Sequence, residues 1–166
     1  MKPSLSHIAE ISFSHIPECV SVIRSSFSTI AEEFGFTAEN APRFTAFAMT
    51  EERLTQQFSD PNRKMYAFYQ FGAILGYDSL LLQKDGNCEL NNLCVLPVCR
   101  HQGIGAVLLR HALETAKRLD CQTMRLSIVE ENQVLRRWYE HHGFHHVETK
   151  KFDFFPFTCG YMEKVL

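Results

Sequence analysis

The residues best suited to chemistry lie in one run, Leu93-Cys94-Val95-Leu96-Pro97-Val98-Cys99-Arg100-His101-Gln102-Gly103-Ile104-Gly105. A strand ends at Leu96, because Pro97 has no N–H with which to extend a ladder. A glycine-bearing turn then leads directly into a long apolar-periodic helix. Such a turn exposes several backbone N–H groups beside the positive end of a helix dipole, an arrangement that binds phosphate. Gly103 and Gly105 have no side chains to hold a pyrophosphate off the backbone, and Arg100 adds a delocalised cation. Taken alone, a G-x-G pair is as well explained by a plain helix start. The third glycine of G-x-G-x-x-G is absent and no G-K-S/T follows, so neither a dinucleotide-binding βαβ unit nor a P-loop is supported.

A second constellation lies downstream: Asn132, then Tyr139-Glu140, then Gly143-Phe144, in the spacing N-x6-Y-E-x-x-G-F. Together with Arg100-His101-Gln102-Gly103-Ile104-Gly105 after Val95-Leu96-Pro97, and with the closing Tyr161-Met162-Glu163-Lys164-Val165-Leu166, this resembles the GNAT superfamily of acyl-CoA-dependent N-acetyltransferases. Order and spacing match over residues 64 to 166. The resemblance implies an α/β GNAT fold: a central, mostly antiparallel mixed sheet of about seven strands, splayed in the middle and flanked by about four helices, in one domain over residues 1–166. It also implies direct transfer of an acetyl group from acetyl-CoA to a primary amine of a small molecule or peptide. A non-catalytic acyl-CoA-binding regulatory domain of the same fold is the alternative.

The resemblance assigns roles residue by residue. Backbone N–H groups of Leu93, Cys94 and Val95 receive the thioester carbonyl at a bulge, for which Asn91-Asn92, poor strand formers, are suited. Arg100, His101, Gln102, Gly103, Ile104, Gly105 and Ala106 form the pyrophosphate turn, and Asn132 both caps its helix and faces the pantetheine arm. Tyr139 protonates the departing thiolate; packing beside Trp138 is its competing explanation. Glu89, eleven residues before Arg100, is the candidate general base, directly or through water, against a reading as a solvated strand residue paired with Lys or Arg.

Other reactive residue types carry less. His141, His142, His145 and His146 surround Gly143-Phe144, but that glycine ends the helix, so His141 and His145 need not share a face, and no metal site is expected. Cys19, Cys88, Cys94, Cys99, Cys121 and Cys159 are scattered without C-x-x-C, which reads as apolar filler in a reducing compartment.

The elements that must hold these residues follow from periodicity. His7 to Phe13 reads as a strand, and Ser14 with Pro17 starts a helix that carries Ile16, Val20, Ile23, Phe27, Ile30 and Phe34 on one face and ends at Gly35. Phe36 to Met49 reads as irregular. Thr50 caps a helix to about Ser59. Strands follow at Met65 to Phe71, Ala73 to Gln83 and Cys88 to Leu96, with a hairpin at Asp85-Gly86. The second half reads as a helix at Gly103–Leu119, a strand at Thr123–Val129, a helix at Asn132–His142 and strands near His145–Phe152 and Cys159–Val165.

The chain has 166 residues, 45% hydrophobic and 12% aromatic, enough for one core and against disorder. A net charge of -2 argues against a nucleic-acid partner. No apolar run approaches a membrane span, and Met1 to Ile11 lacks the apolar core of a signal peptide, which together lead to a cytoplasmic expectation with no membrane partner. Of the fourteen phenylalanines, Phe36, Phe44, Phe47, Phe152, Phe154, Phe155 and Phe157 fall in segments bordering the acceptor cleft of the resembled fold. Core, a homodimer surface and a partly apolar acceptor pocket are the three readings of them.

Overall fold

The computed structural model describes residues 5–166; the first four residues, part of the expected polar start, lie outside the described residues. Seven strands form one sheet in the order β1-β2-β3-β4-β5-β7-β6. The strands are β1 (Ser6–Glu10), β2 (Arg63–Gln70), β3 (Ala73–Leu82), β4 (Cys88–Val95), β5 (Thr123–Val129), β6 (His145–Lys151) and β7 (Thr158–Val165). Five helices accompany them: α1 (Ile16–Phe34), α2 (Thr45–Ala48), α3 (Glu51–Phe58), α4 (Ile104–Arg118) and α5 (Gln133–His141). All neighbouring strands run antiparallel except β4 and β5, so the expected mixed, mostly antiparallel sheet is present.

Local chemistry accounts for most boundaries. Gly35 ends α1 in the left-handed conformation, φ 71°, which costs glycine little. Thr50 caps α3 by accepting from the N–H of Arg53 at 3.1 Å, and Asn132 caps α5 by accepting from Leu135 at 3.2 Å. Two expectations need correction. The first strand stops at Glu10 rather than Phe13, because Ser12 to His15 closes a 3-10 turn in which the Ser12 hydroxyl meets His15 Nδ1 at 3.0 Å, and the helix enters at Ile16 rather than Ser14. The stretch Phe36–Met49 is not wholly irregular, since it contains α2; Phe44 is buried edge-on against Phe36 and Phe157, and that packing orders a segment whose sequence has little helical pattern. Hence five helices stand where about four are implied.

The sheet carries its apolar contacts in two main bodies. One lies under α1, with Ile23, Leu54, Tyr77 and Cys94. The other lies under α4 and α5, with Leu80, Leu109, Met124, Tyr139 and Met162. Gly76 lets α4 settle on β3: a Cβ there would lie 2.8 Å from Leu108 Cδ1, closer than two carbons approach. Between the bodies the sheet comes apart. The parallel pairing of β4 with β5 is limited to Cys88 with Met124 and Glu89 with Arg125, after which the strands diverge. At the same level β4 bulges, because Tyr77 opposes Cys94 while Ser79 opposes Asn91, leaving Asp78 opposite the pair Asn92-Leu93. Asn92 turns left-handed there, φ 54°, a conformation asparagine tolerates better than most residues. Among the described residues no helix is long and apolar enough to cross a membrane.

Candidate active site

The divergence of β4 from β5 opens two cavities that meet. The larger, about 520 Å3, is lined by the bulged end of β4 at Leu93, Cys94 and Val95, by the turn from Cys99 into α4, and by Asn132, Trp138 and Tyr139. The smaller, about 200 Å3, lies between Asn91-Asn92 and the outer half of β5, under aromatic residues of the α1–α2 and β6–β7 segments. Phe27, Ile30, Leu93, Asn132, Leu135 and Tyr139 line both. Two separate occupants could therefore touch at that seam.

At the glycine turn, Gly103 occupies the N-cap position of α4 with φ 83° and His101 is also left-handed, φ 63°, so the backbone curls around the helix start. The turn borders the cleft at the start of α4, where the helix dipole is positive, which suits an anion held against the backbone. Gly105 differs: a Cβ there would meet Trp138 at 3.6 Å, ordinary contact, so packing alone does not require a glycine at that position. His101, Gly103, Ile104, Gly105 and Ala106 all line the larger cavity.

Two members of the expected set behave differently. Arg100 lines the cleft, yet its guanidinium donates to Val95 O at 3.3 Å, Ser26 O at 2.7 Å and Thr29 Oγ1 at 2.8 Å. Its donors tie α1 to the end of β4, and the cation expected to meet phosphate is spent as a clamp. Gln102 does not line this cleft; it faces a groove on the other side of the turn, beside His7, Phe68 and His111. The left-handed turn at His101 separates the directions of neighbouring side chains.

Tyr139 is 5% exposed, at the seam of the two cavities, with its ring edge-on to Trp138 and to Phe144. Burial pushes its phenol well above the ordinary tyrosine range, so it holds its proton at any working pH. The packing beside Trp138 and the position in the cleft coexist. Cys94 is also buried, and burial pushes its thiol up to about 12, so no thiolate forms there. Glu89 lines neither cavity: its carboxylate accepts from Asn91 Nδ2 at 2.7 Å and Gln83 Nε2 at 3.3 Å, and it is Asn91 that lines the smaller cavity.

The sequence reading missed Asp78. It is fully buried opposite the bulge, neither carboxylate oxygen accepts from a protein group, and burial pushes its pKa up to about 8. An aspartate inside the apolar run Ile74-Leu75-Gly76-Tyr77-Asp78-Ser79-Leu80 was the signal available. The four clustered histidines disperse: His142 Nδ1 meets Trp138 O at 2.7 Å, His146 meets Glu130 at 2.8 Å, His145 meets Glu163 at 3.6 Å, and His141 stacks edge-on to His142. Among the described residues no three His, Cys, Asp or Glu side chains gather as metal ligands.

Comparison with known proteins agrees with this architecture. The family model of the acetyltransferase (GNAT) family matches residues 27–144. Over 106 residues, 64% of this chain and 68% of the relative, the sequence is 28% identical to an uncharacterized N-acetyltransferase of Mycobacterium tuberculosis. Among solved structures, the fold is similar to a PaiA N-acetyltransferase from Thermoplasma acidophilum in complex with coenzyme A, with a TM-score of 0.83 at 20% identity over 97% of this chain and 99% of that one. It is also similar to a ribosomal-protein-alanine N-acetyltransferase from Brucella melitensis, with a TM-score of 0.74 at 18% identity over 96% and 99%. The family match spans both the glycine turn and the helix that carries Tyr139, and the chain belongs to the GNAT family of acetyltransferases.

Proposed function

We propose that this protein moves an acetyl group from acetyl-CoA directly to a primary amine of a small molecule or peptide. The observation that carries the reading is the seam: a buried tyrosine that keeps its proton borders both a long cleft beside a helix start and a second cavity of small-molecule size. Acetyl-CoA supplies the acyl group as a thioester. The left-handed turn at His101 and Gly103 suits its pyrophosphate, which the backbone N–H groups would hold in place of Arg100, whose guanidinium is bonded to Ser26 and Thr29. The bulge takes Leu93 out of register with β3, and the divergence from β5 leaves the outer edge of β4 from Leu93 to Val95 without a strand partner, which suits N–H groups there to the carbonyl oxygen as it gains negative charge.

The amine nitrogen forms its bond to the carbonyl carbon, the carbon–sulfur bond breaks, and Tyr139 gives its proton to the sulfur. Tyr139 is itself buried, and burial disfavours its phenolate, so the proton moves to the sulfur only as the breaking bond builds negative charge beside it. The proton lost by the amine passes through water to Glu89, whose carboxylate lies beyond the side chain of Asn91. The six free cysteines fit a reducing compartment, the cytoplasm, and the single seven-stranded sheet supports one domain over residues 1–166.

The test is release of free thiol when the purified protein meets acetyl-CoA and a panel of amines and peptides. Thiol release that depends on the amine, with acetylated product in equal amount, supports the transferase. Tight CoA binding with no thiol release from any amine overturns it in favour of a non-catalytic acyl-CoA-binding domain.

A further inference from the structure

The smaller cavity has a chemical signature of its own. Its walls carry Phe27, Ile30, Phe44, Phe155 and Phe157, and its polar lining residues besides Arg43 are uncharged: Thr45, Asn91, Asn92, Ser127, Asn132 and the protonated phenol and thiol of Tyr139 and Cys159. No Asp or Glu side chain lines it. Arg43 is the one charged residue among the lining side chains, and its guanidinium is stacked 4.2 Å over the ring of Phe154. Among the described residues no carboxylate lies within ion-pair distance of it, and its stacking leaves the edge donors of the guanidinium unused.

Resting on the transferase reading, we infer that the acceptor is a primary amine bearing one carboxylate on an apolar, aromatic-sized framework, with Arg43 taking the carboxylate. An exposed arginine resting over an aromatic ring keeps its planar fork available to a two-oxygen anion. The phenylalanines supply contact for a ring or a large aliphatic group, and about 200 Å3 suits a molecule the size of one amino acid. A polyamine is disfavoured by the same lining, because a second ammonium would face Arg43 with no carboxylate to offset the repulsion.

The experiment compares acceptors that differ in one carboxylate: L-phenylalanine with phenethylamine, and 4-(aminomethyl)benzoate with benzylamine, with spermidine as the cationic contrast. The carboxylate member of at least one pair should lead by about 10–100-fold in kcat/KM, the scale of one charged hydrogen-bonded contact. Arg43→Met, which keeps the apolar stem, should collapse that ratio toward one, and Arg43→Lys should restore part of it. A merely structural role for Arg43 would lower both members of a pair alike and leave the ratio standing, which overturns the assignment. So does a preference for spermidine or for the neutral amines. Failure of every amine, with acetyl-CoA still bound, overturns the transferase reading itself.

Discussion

The two cavities that meet at Tyr139 are built by different means. The longer cleft is organised by backbone features, a strand bulge, a proline stop and a left-handed glycine at a helix start, all within Asn91 to Ala106, to which α1 and α5 add side chains. The smaller cavity is lined by residues from six separate places, among them Phe27 on α1, Arg43 before α2, Ile128 on β5 and Phe157 before β7. A site that binds through main-chain geometry tolerates many side chains and can serve one invariant co-substrate. A site that binds through side chains can be remade by a few substitutions without disturbing the first.

That contrast is open to attack where the two cavities join. Tyr139→Phe removes one hydroxyl from the seam and should lower kcat by about 10²–10⁴, the scale of general acid catalysis, while calorimetric affinity for CoA stays close to the parent's. An unchanged kcat in an enzyme limited by chemistry would take the proton away from Tyr139.

Asp78 tests whether the bulge carries a cost in stability. In the folded chain its carboxyl stays protonated up to about 8, whereas an unfolded aspartate ionises near the ordinary 3.9. The native state therefore binds the extra proton between these values. Its stabilising contribution is complete below the lower value, falls as pH rises, and is gone above the upper one. The slope is roughly 1.4 kcal/mol per pH unit within the window. Asp78→Asn should flatten it, so that denaturation midpoints of parent and variant converge near pH 4 and separate by pH 8, with the variant the more stable. Parallel profiles would contradict this.

Within the backbone-built cleft, Gly103→Val should weaken CoA binding by about tenfold or more, because a β-branched residue is strained at φ 83° and the turn must shift. Gly105→Ala should fold normally, since its Cβ meets Trp138 at an ordinary 3.6 Å; any loss of affinity there reports crowding of the ligand alone. Equal losses of folding stability in both would show that the turn is a helix start and no more. The smallest effect concerns the thiols. With Cys94 pushed up to about 12, mass spectrometry of the quenched reaction should find no acetylated cysteine peptide forming at the rate of turnover. Such a peptide would mean a two-step route through the protein.

The same contrast explains what could be read from the sequence. The caps at Thr50 and Asn132, the stop at Gly35 and the bulge at Asn92 depend on neighbours within a few residues, and each appears where local chemistry puts it. Arg100 looked like a phosphate ligand because its partners, Ser26 and Thr29, lie more than seventy residues away. Arg43 and Phe157 gave no local sign of sharing a cavity, and the order in α2 comes from burial of Phe44 rather than from its own pattern. Asp78 was visible as an anomaly in an apolar strand, though only the bulge opposite gives it a place.

The two residue pairs that join β4 to β5 are all that stitches the halves of the sheet at its centre. Such a joint behaves as a hinge with one pin, and whatever fills the V works as a clasp between two apolar bodies that otherwise lean on few shared hydrogen bonds. Binding to the closed form alone raises the cost of opening by RT ln(1 + [L]/Kd), about 2.7 kcal/mol at a hundredfold excess over Kd. Slow amide exchange along the facing edges of β4 beyond Glu89 and β5 beyond Arg125 would then record the clasp closing, and the carrier molecule would act as part of the fold during each turnover.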